Sequence, residues 1–466
     1  MLLGEDQRRT PCWPIGPFNI RLPFIHYRIE WPDYVQGLVM CAVDLAAIPL
    51  MTELLGMPFD VALAVIMMNG LLYLTHHLLG DPVVPGWITP AIPLMMAYCS
   101  SFPAGTERIH ALISLQLMLG LLSIAIGIFG LAHRVMGAIP QAIKSGIIMG
   151  SGFAAIISVF EPKGRFDSFP ITIGIAMSLV FYIMFSQHFA RMRQRHPLFG
   201  LIGKLGVVPA ILFAIIGAPL LGEASWPVIK WGLSAPNFGR LWREYSVFGL
   251  GFPPITMLLA AIPTVLATYI VVFGDVIKGQ AILQEAERKR PEEAIDADPD
   301  RAHIIFGGRN VAMSMVGPDI AMCGPIWAAM HVIIAERYTQ GRRAMKSIYG
   351  GVGSFRWGTN TGLLLMPIVS LVQPILAIAL SFTLLIQGFV SVRIGVLEAR
   401  SQMDLGIAGI VGAVLATRGA TWAFACGVIL CLLLFGRDFF RGGSDGTFAR
   451  WPDRRDDHRD DKKNFR

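Results

Sequence analysis

Two carboxylates, Asp44 and Asp275, stand alone inside runs of apolar side chains, and a guanidinium, Arg356, stands inside another. At the centre of a membrane helix such a charge costs about 2.5–3.5 kcal/mol on insertion scales, so an intramembrane ionisable group is a functional candidate by default. A carboxylate there can bind and release a proton or hold a cation, which makes Asp275 and Asp44 candidate coupling groups. His331 is a candidate third member of such a relay; a packed interior histidine is the competing reading. Arg356, beside Trp357 and Asn360 in "SFRWGTN", can pair with an acid or contact an anion. Lys278 follows Asp275 by three residues and offers it a structural alternative, an ion pair near one membrane face. His76-His77 closes an apolar run and reads as interfacial.

The elements that must position these groups follow from composition. Of 466 residues, 54% are hydrophobic and 15% charged, with a mean hydropathy of +0.57; a soluble domain carries about 25% charged residues. The runs 111–132, 171–185, 207–221 and 375–390 are nearly free of charge, and a bilayer-spanning helix needs about 20 such residues. A polytopic membrane protein is expected and a soluble domain is excluded. The formal net charge of +7 resides in short connections and at the ends, as topology signals do, and is not read as a nucleic-acid footprint. The six cysteines, Cys12, Cys41, Cys99, Cys323, Cys426 and Cys431, form no CxxC pair. No disulfide framework, metal site or cofactor is read. Residues 1–19 lack the apolar stretch of a secretory leader.

Membrane elements are expected near 35–56, 58–79, 84–100, 109–132, 139–160, 168–190, 199–221, 252–277, 302–316, 319–337, 345–370, 374–396, 404–417 and 419–436. That makes about fourteen, several too short or too broken to cross alone. The chain divides into a cytoplasmic N-terminal segment (1–33), a first set of seven (34–221), a connection (222–250), a second set of seven (251–436) and a polar cytoplasmic tail (437–466). Arg191, Arg193 and Arg195, the charges of 278–301, and Arg337 to Lys346 fall on one side. The positive-inside rule makes that side cytoplasmic, with both termini, in a bacterial inner membrane.

The two halves share their punctuation. "VPGWITPAIPLMMAY" opens the third element with Gly86, Trp87 and Thr89; "MCGPIWAAMHVIIAERY" opens the tenth with Gly324, Pro325 and Trp327. An odd number of spans per half inverts the second half relative to the first. Broken segments at matching positions of inverted halves point to a transporter's binding site, where half-helix N-termini present unpaired N–H groups.

Several further stretches carry a resemblance: "YVQGLVMCAVDLAAIPLMTELLG", "IPQAIKSGIIMGSGFAAI", "IPTVLATYIVVFGDV" and "GGRNVAMSMVGPDIAMCGPIWAAMHVIIAERYTQGR". Over roughly 34–434 the chain resembles the nucleobase–ascorbate transporters, which include uracil permeases, and more distantly the sulfate permeases. The resemblance implies an all-α fold of seven plus seven inverted spans, split into core and gate domains. It also implies short strands before the third and tenth helices and a substrate between those half-helices. On that arrangement Gly86 and Gly324 permit close backbone approach. Trp87 and Trp327 stack on the solute, or else pack; Thr89 donates a hydroxyl, or else caps a helix. Pro325 lines the site, and Asp275 faces it, keeping with Gly274 the family's Gly-Asp pair. The sequence departs from the family at its ligands. The eighth-span glutamate falls on Val271, the tenth-span Glu/Gln-Asn-x-Gly on Gly324-Pro325-Ile326-Trp327, and the first-span histidine of uracil permeases on Gly37.

The function expected is secondary active transport, as proton-coupled symport of a nucleobase-like solute or organic anion, with sodium as the rival coupling ion. An inorganic-anion transporter, exchanger or channel is the alternative. A channel would show repeated pore-lining polar stripes, whereas this chain shows two broken helices. An intramembrane enzyme would need a motif such as HExxH or GxSxG within a membrane element, and none of the expected elements contains either. The expected partners are a small solute, the coupling ion, lipid and a second copy in a homodimer, with no nucleic acid.

Overall fold

The computed structural model describes residues 9–132, 134–135, 139–204 and 207–436; the expected tail 437–466 and residues 1–8 lie outside them. The apolar runs form helices whose ends follow Pro and Gly. α1 (Trp31–Leu45) carries Pro32 in its first turn, where a missing N–H costs nothing. It breaks at Ala46-Ala47 before α2 (Ile48–Leu55), and Gly56 closes α2 in the left-handed conformation (φ 66°). α3 (Phe59–Leu78) follows Pro58, then come the short α4 (Ile92–Ser100), α5 (Thr106–Phe129), α6 (Gln141–Phe160), α7 (Pro170–Phe185), α8 (Gln187–Arg195) and α9 (Val208–Leu220). The second half holds α10 (Ile255–Lys289), α11 (Pro299–Val316), the short α12 (Ala328–Thr339), α13 (Ile348–Leu364), α14 (Met366–Val372), α15 (Leu376–Glu398), α16 (Gln402–Arg418) and α17 (Ala420–Phe435). Among the described residues six helical segments are long and apolar enough to cross a membrane. A seventh counts if α7 and the start of α8 form one span bent by 62°. The chain is a multi-pass membrane protein.

Three regions differ locally from the sequence reading. α10 does not stop at 277 but runs to Lys289, because no proline stands between 277 and Pro291 and Lys289 pairs with Glu285 one turn back at 2.6 Å. The connection 222–250 contains two short helices, Phe238–Glu244 and Val247–Leu250, each capped by a side chain, Asn237 and Ser246. The segment before α1 is folded. β1 (Trp13–Ile15) and β2 (Phe18–Ile20) pair antiparallel with Pro14 opposite Asn19. This hairpin is latched to the α10–α11 connection: Asn19 Nδ2 and Arg21 reach Asp296 at 2.6 and 3.3 Å, and Arg301 reaches it at 3.0 Å. Burial pushes the Asp296 carboxyl up, but the bonds from Arg301 and Asn19 and the charge of Arg21 outweigh it and hold the group below its ordinary value.

Packing relies on small residues, as membrane helices without a hydrophobic driving force between them require. α5 and α11 touch at Gly120 and Gly307, where an added Cβ would come within 2.8 and 2.9 Å of the other glycine's carbonyl oxygen. α1 lies against α13 in the same way through Gly37 and Gly358, and α6 lies between α15 and α16.

Candidate functional site

Between α3 and α4, and between α11 and α12, the chain is extended, and these two segments cross. The Gly324 N–H donates to the Gly86 carbonyl at 2.8 Å and the Gly86 N–H returns to Gly324 at 3.4 Å, an antiparallel bridge. The Trp327 N–H to Val84 O (2.7 Å) and Ile88 N–H to Ala321 O (3.1 Å) extend the pairing to both sides. Buried backbone inside a membrane must find internal partners, and here each interrupted segment supplies the other's. Only glycine fits at the crossing point. A Cβ on Gly324 would stand 2.7 Å from the Trp87 carbonyl, and one on Gly86 would stand 2.9 Å from the Trp327 Cβ.

The half-helices begin later than the sequence reading places them. Residues 86–88 stay extended, a 3-10 turn covers Thr89–Ala91, and α4 starts at Ile92; Trp327 is the N-cap of α12. Pro90 and Pro93 fall in first turns, where N–H groups have no helical partner in any case. Their effect is to leave the α4 end poorer in donors than the α12 end, which keeps the N–H groups of Ala328, Ala329 and Met330. Ala329 is exposed, Ala328 half-buried and Met330 buried.

Arg356 of α13 stands beneath the crossing, fully buried. It donates to the Pro85 carbonyl, pairs with Asp44 Oδ2 at 3.4 Å, and lies 3.9 Å above the Tyr73 ring and 5.2 Å from the Trp327 ring. Asp44 and Arg356, both found as lone charges, are therefore one ion pair. A second buried arginine was not singled out in the sequence reading. Arg309 of α11 donates to the Gly324 carbonyl (3.0 Å), to Asn69 Oδ1 (3.1 Å) and to His76 Nε2 (2.9 Å), and faces Tyr73 at 4.5 Å. Because His76 Nε2 accepts, its Nδ1 carries the proton and donates to Asp81 Oδ2 at 2.6 Å. His76 and His77 are both fully buried within the protein. Asn310 brackets Cys323, accepting its N–H (3.0 Å) and donating to its carbonyl (2.8 Å). Asp319 accepts from Ala321 N–H and from Asn69, and Gln116 accepts the Asp319 N–H. Residues 319–324 are held in place by these side chains. The available signal was Arg309 itself, an arginine inside the α11 run "GGRNVAMSMV".

The remaining candidates are dispersed around the crossing. Trp87 is buried within the apolar core, whereas Trp327 is half-buried and meets Phe355 edge-on at 5.7 Å. Thr89 is half-buried and opens the 3-10 turn without a side-chain cap bond. His331 Nδ1 accepts from the Val84 N–H at 3.4 Å; its Nε2 is buried with no hydrogen-bond partner among the described residues. Asp275 pairs with Lys278 at 2.9 Å, the structural alternative noted from the sequence. It also lines, with Asp81, Gln280, Pro325 and Ile326, a cavity of about 10 Å³, room for about one water.

No family model and no curated protein matches the sequence. Solved structures match the fold. SLC26A9 aligns at 15% identity over 86% of this chain and 64% of its own, with a TM-score of 0.53. The murine Solute Carrier 26 family member A9 anion transporter, in its inward-facing state, aligns at 14% over 87% of this chain and 68% of its own, with a TM-score of 0.50. The transmembrane domain of a cyanobacterium bicarbonate transporter, BicA, aligns at 14% over 86% and 97%, with a TM-score of 0.49. The chain spans less than two thirds of the length of the first of these. The likeness is one of fold.

Proposed function

We propose that this chain is a secondary transporter that carries a small anion across a membrane, and that the anion binds where the two extended segments cross. The observation that carries this reading is the antiparallel Gly86–Gly324 pairing of the two extended segments that lead into α4 and α12, with the buried Arg356 donating to the Pro85 carbonyl beside it. Unpaired first-turn N–H groups and a positive helix end favour an anion. The Arg356 guanidinium beside the crossing is balanced by Asp44, and Val271 and Gly324 to Trp327 offer no carboxylate to a heterocycle's N–H groups. In this reading the N–H groups of Ala328 and Ala329, the Thr89 hydroxyl and Trp327 contact the anion, while Gly86, Gly324 and Pro325 shape the floor and Trp87 supports it from behind.

The finer reading adds an inverted seven-plus-seven arrangement with core and gate, a homodimer, and a bacterial inner membrane with both termini cytoplasmic. It also makes transport proton-coupled, with Asp275 as carrier, Asp44, paired with Arg356, as a second site and His331 as a further member of the relay. The fold shared with an anion transporter supports the anion over the nucleobase.

The experiment is uptake into proteoliposomes of bicarbonate, sulfate, chloride, a small organic anion and uracil, under proton or sodium gradients, by wild type and Asp275→Asn. An anion accumulated by wild type, and exchanged but not accumulated by the variant, is the expected result. Uracil uptake without anion uptake would reverse the substrate class. Equal accumulation by both proteins at acidic and neutral pH would remove the coupling role of Asp275.

A further inference from the structure

The connection between α9 and α10 carries a surface that the crossing does not use. From Ser225 to Ser234 it reads "SWPVIKWGLS" and runs without helix. Its backbone is tied inward to the α13–α14 break. Ser234 N–H donates to Leu364 O at 2.9 Å, Met366 N–H to Gly232 O at 3.0 Å and Lys230 N–H to Ser370 Oγ at 3.0 Å. Farther on, Asn237 bonds Asp60 through its N–H and its side chain, both at 3.0 Å. Asp60 lies in the first turn of α3; the N-terminal hairpin meets the opposite end of α3, at Leu78 and Leu79. The strap and the hairpin are therefore on opposite faces of the molecule.

With the backbone held inward, the large apolar side chains project. Trp231 is 85% exposed, Leu233 74%, Val228 73% and Trp226 58%. Beyond them Trp242 and Phe248 stack at 4.2 Å, nearly parallel and half exposed. Single exposed apolar residues need no explanation, but a continuous band does. This band continues into Leu212, Ile216 and Leu220 of α9 on one side and into Phe252 with Ile255 and Leu259 of α10 on the other. Those apolar helix faces meet acyl chains, so the strap joins two lipid-facing surfaces at the level of the helix ends. Its charge is cationic there: Arg240 pairs with Glu244, while Lys230 and Arg243 make no salt bridge among the described residues. Tryptophan with interspersed cations at helix-end depth is the composition of a membrane interface, where an indole buries its ring and keeps its N–H wet.

We propose that residues 225–234, with Trp242 and Phe248, lie in the headgroup layer of the leaflet opposite the N-terminal hairpin. Trp226 and Trp231 enter the acyl boundary, and Lys230 and Arg243 face lipid phosphates. The test uses full-length protein in phosphatidylcholine–phosphatidylglycerol vesicles and compares wild type with Trp226→Phe/Trp231→Phe. The emission difference between them isolates the two indoles, and phenylalanine keeps an apolar ring, so thermal unfolding should be unchanged. Lipid brominated near the headgroup should remove most of that difference emission, lipid brominated deep in the chains less, and aqueous acrylamide little. Strong acrylamide quenching without bromolipid quenching would put the strap in water and overturn the proposal. Insensitivity to both quenchers would mean that protein, such as a second copy, covers the strap, and would overturn it as well.

Discussion

Replacing Gly324 with alanine adds one methyl group where two main chains touch. The new Cβ would lie 2.7 Å from the carbonyl carbon and oxygen of Trp87 and 3.0 Å from the Ile88 nitrogen. None of these atoms can swing aside as a side-chain tip would. Carbon contacts are comfortable from about 3.5 Å, so the segments must part by roughly 0.8 Å. The Gly324–Gly86 bonds, at 2.8 and 3.4 Å, would then both exceed hydrogen-bond reach. Two lost bonds at about 0.5–1.5 kcal/mol each, with one buried group left unpaired at about 1–3 kcal/mol, give a cost of roughly 2–6 kcal/mol. Thermal unfolding in detergent and anion uptake at matched protein incorporation both read this. The expected result is a clearly lowered transition and loss of uptake, and a leucine at 324 should harm the fold as well as binding. The control is Gly274→Ala, in α10, where an added Cβ meets nothing within 4 Å; it should be neutral or stabilising by about 0.5–1 kcal/mol. A Gly324→Ala protein that unfolds and transports like wild type would refute the close crossing and the site built on it.

Two further predictions concern charge. Removing either member of the buried Asp44–Arg356 pair should cost about 3–5 kcal/mol, and Asp44→Leu/Arg356→Met should cost less than the sum of the single changes; strict additivity in unfolding would deny the pairing. The Asp296 latch should open only in acid. Its carboxyl is held below its ordinary value in the folded state, so its contribution is complete above the unfolded carboxylate range and is lost as pH falls through the depressed value. Hydrogen exchange of residues 13–21 should rise over that interval and be high at every pH in Asp296→Asn; a flat profile in wild type would sink the idea.

Much of the membrane fold was legible because it rests on length and hydropathy, which a single chain displays directly. The position of the break in "VVPGWITP" was legible too, since Pro85 and Gly86 forbid an undisturbed helix. That Gly86 would pair with Gly324, and not merely face it, was not legible, since matching punctuation gives correspondence and not contact. Asp44 and Arg356 stood out as charges in apolar runs, yet no spacing rule joins residues of α1 and α13. Arg309 had the same signal but was surrounded by Gly, Asn and Ser, which made α11 look less apolar and the charge less anomalous. The end of α10 was misread because hydropathy ends a span where the membrane ends, whereas the helix continues until a breaker or a cap stops it. The N-terminal hairpin could not be foreseen, since its three-residue strands are held by partners near 79 and 296, far along the sequence.

The crossing also constrains the order of biosynthesis. Gly324 leaves the ribosome 238 residues after Gly86 (324 minus 86). Until it arrives, the amides of Val84, Gly86 and Ile88 and the carbonyls of Val84 and Gly86 lack the partners they have in the fold, and hydrocarbon offers none. The first half cannot complete its insertion alone; that segment must wait in a wet or chaperoned setting for its counterpart. Truncation after 250, or a long pause in translation there, would leave a nascent chain with exposed polar backbone at bilayer depth, a substrate for quality-control proteolysis. The crossing is complete only when the second extended segment pairs with the first.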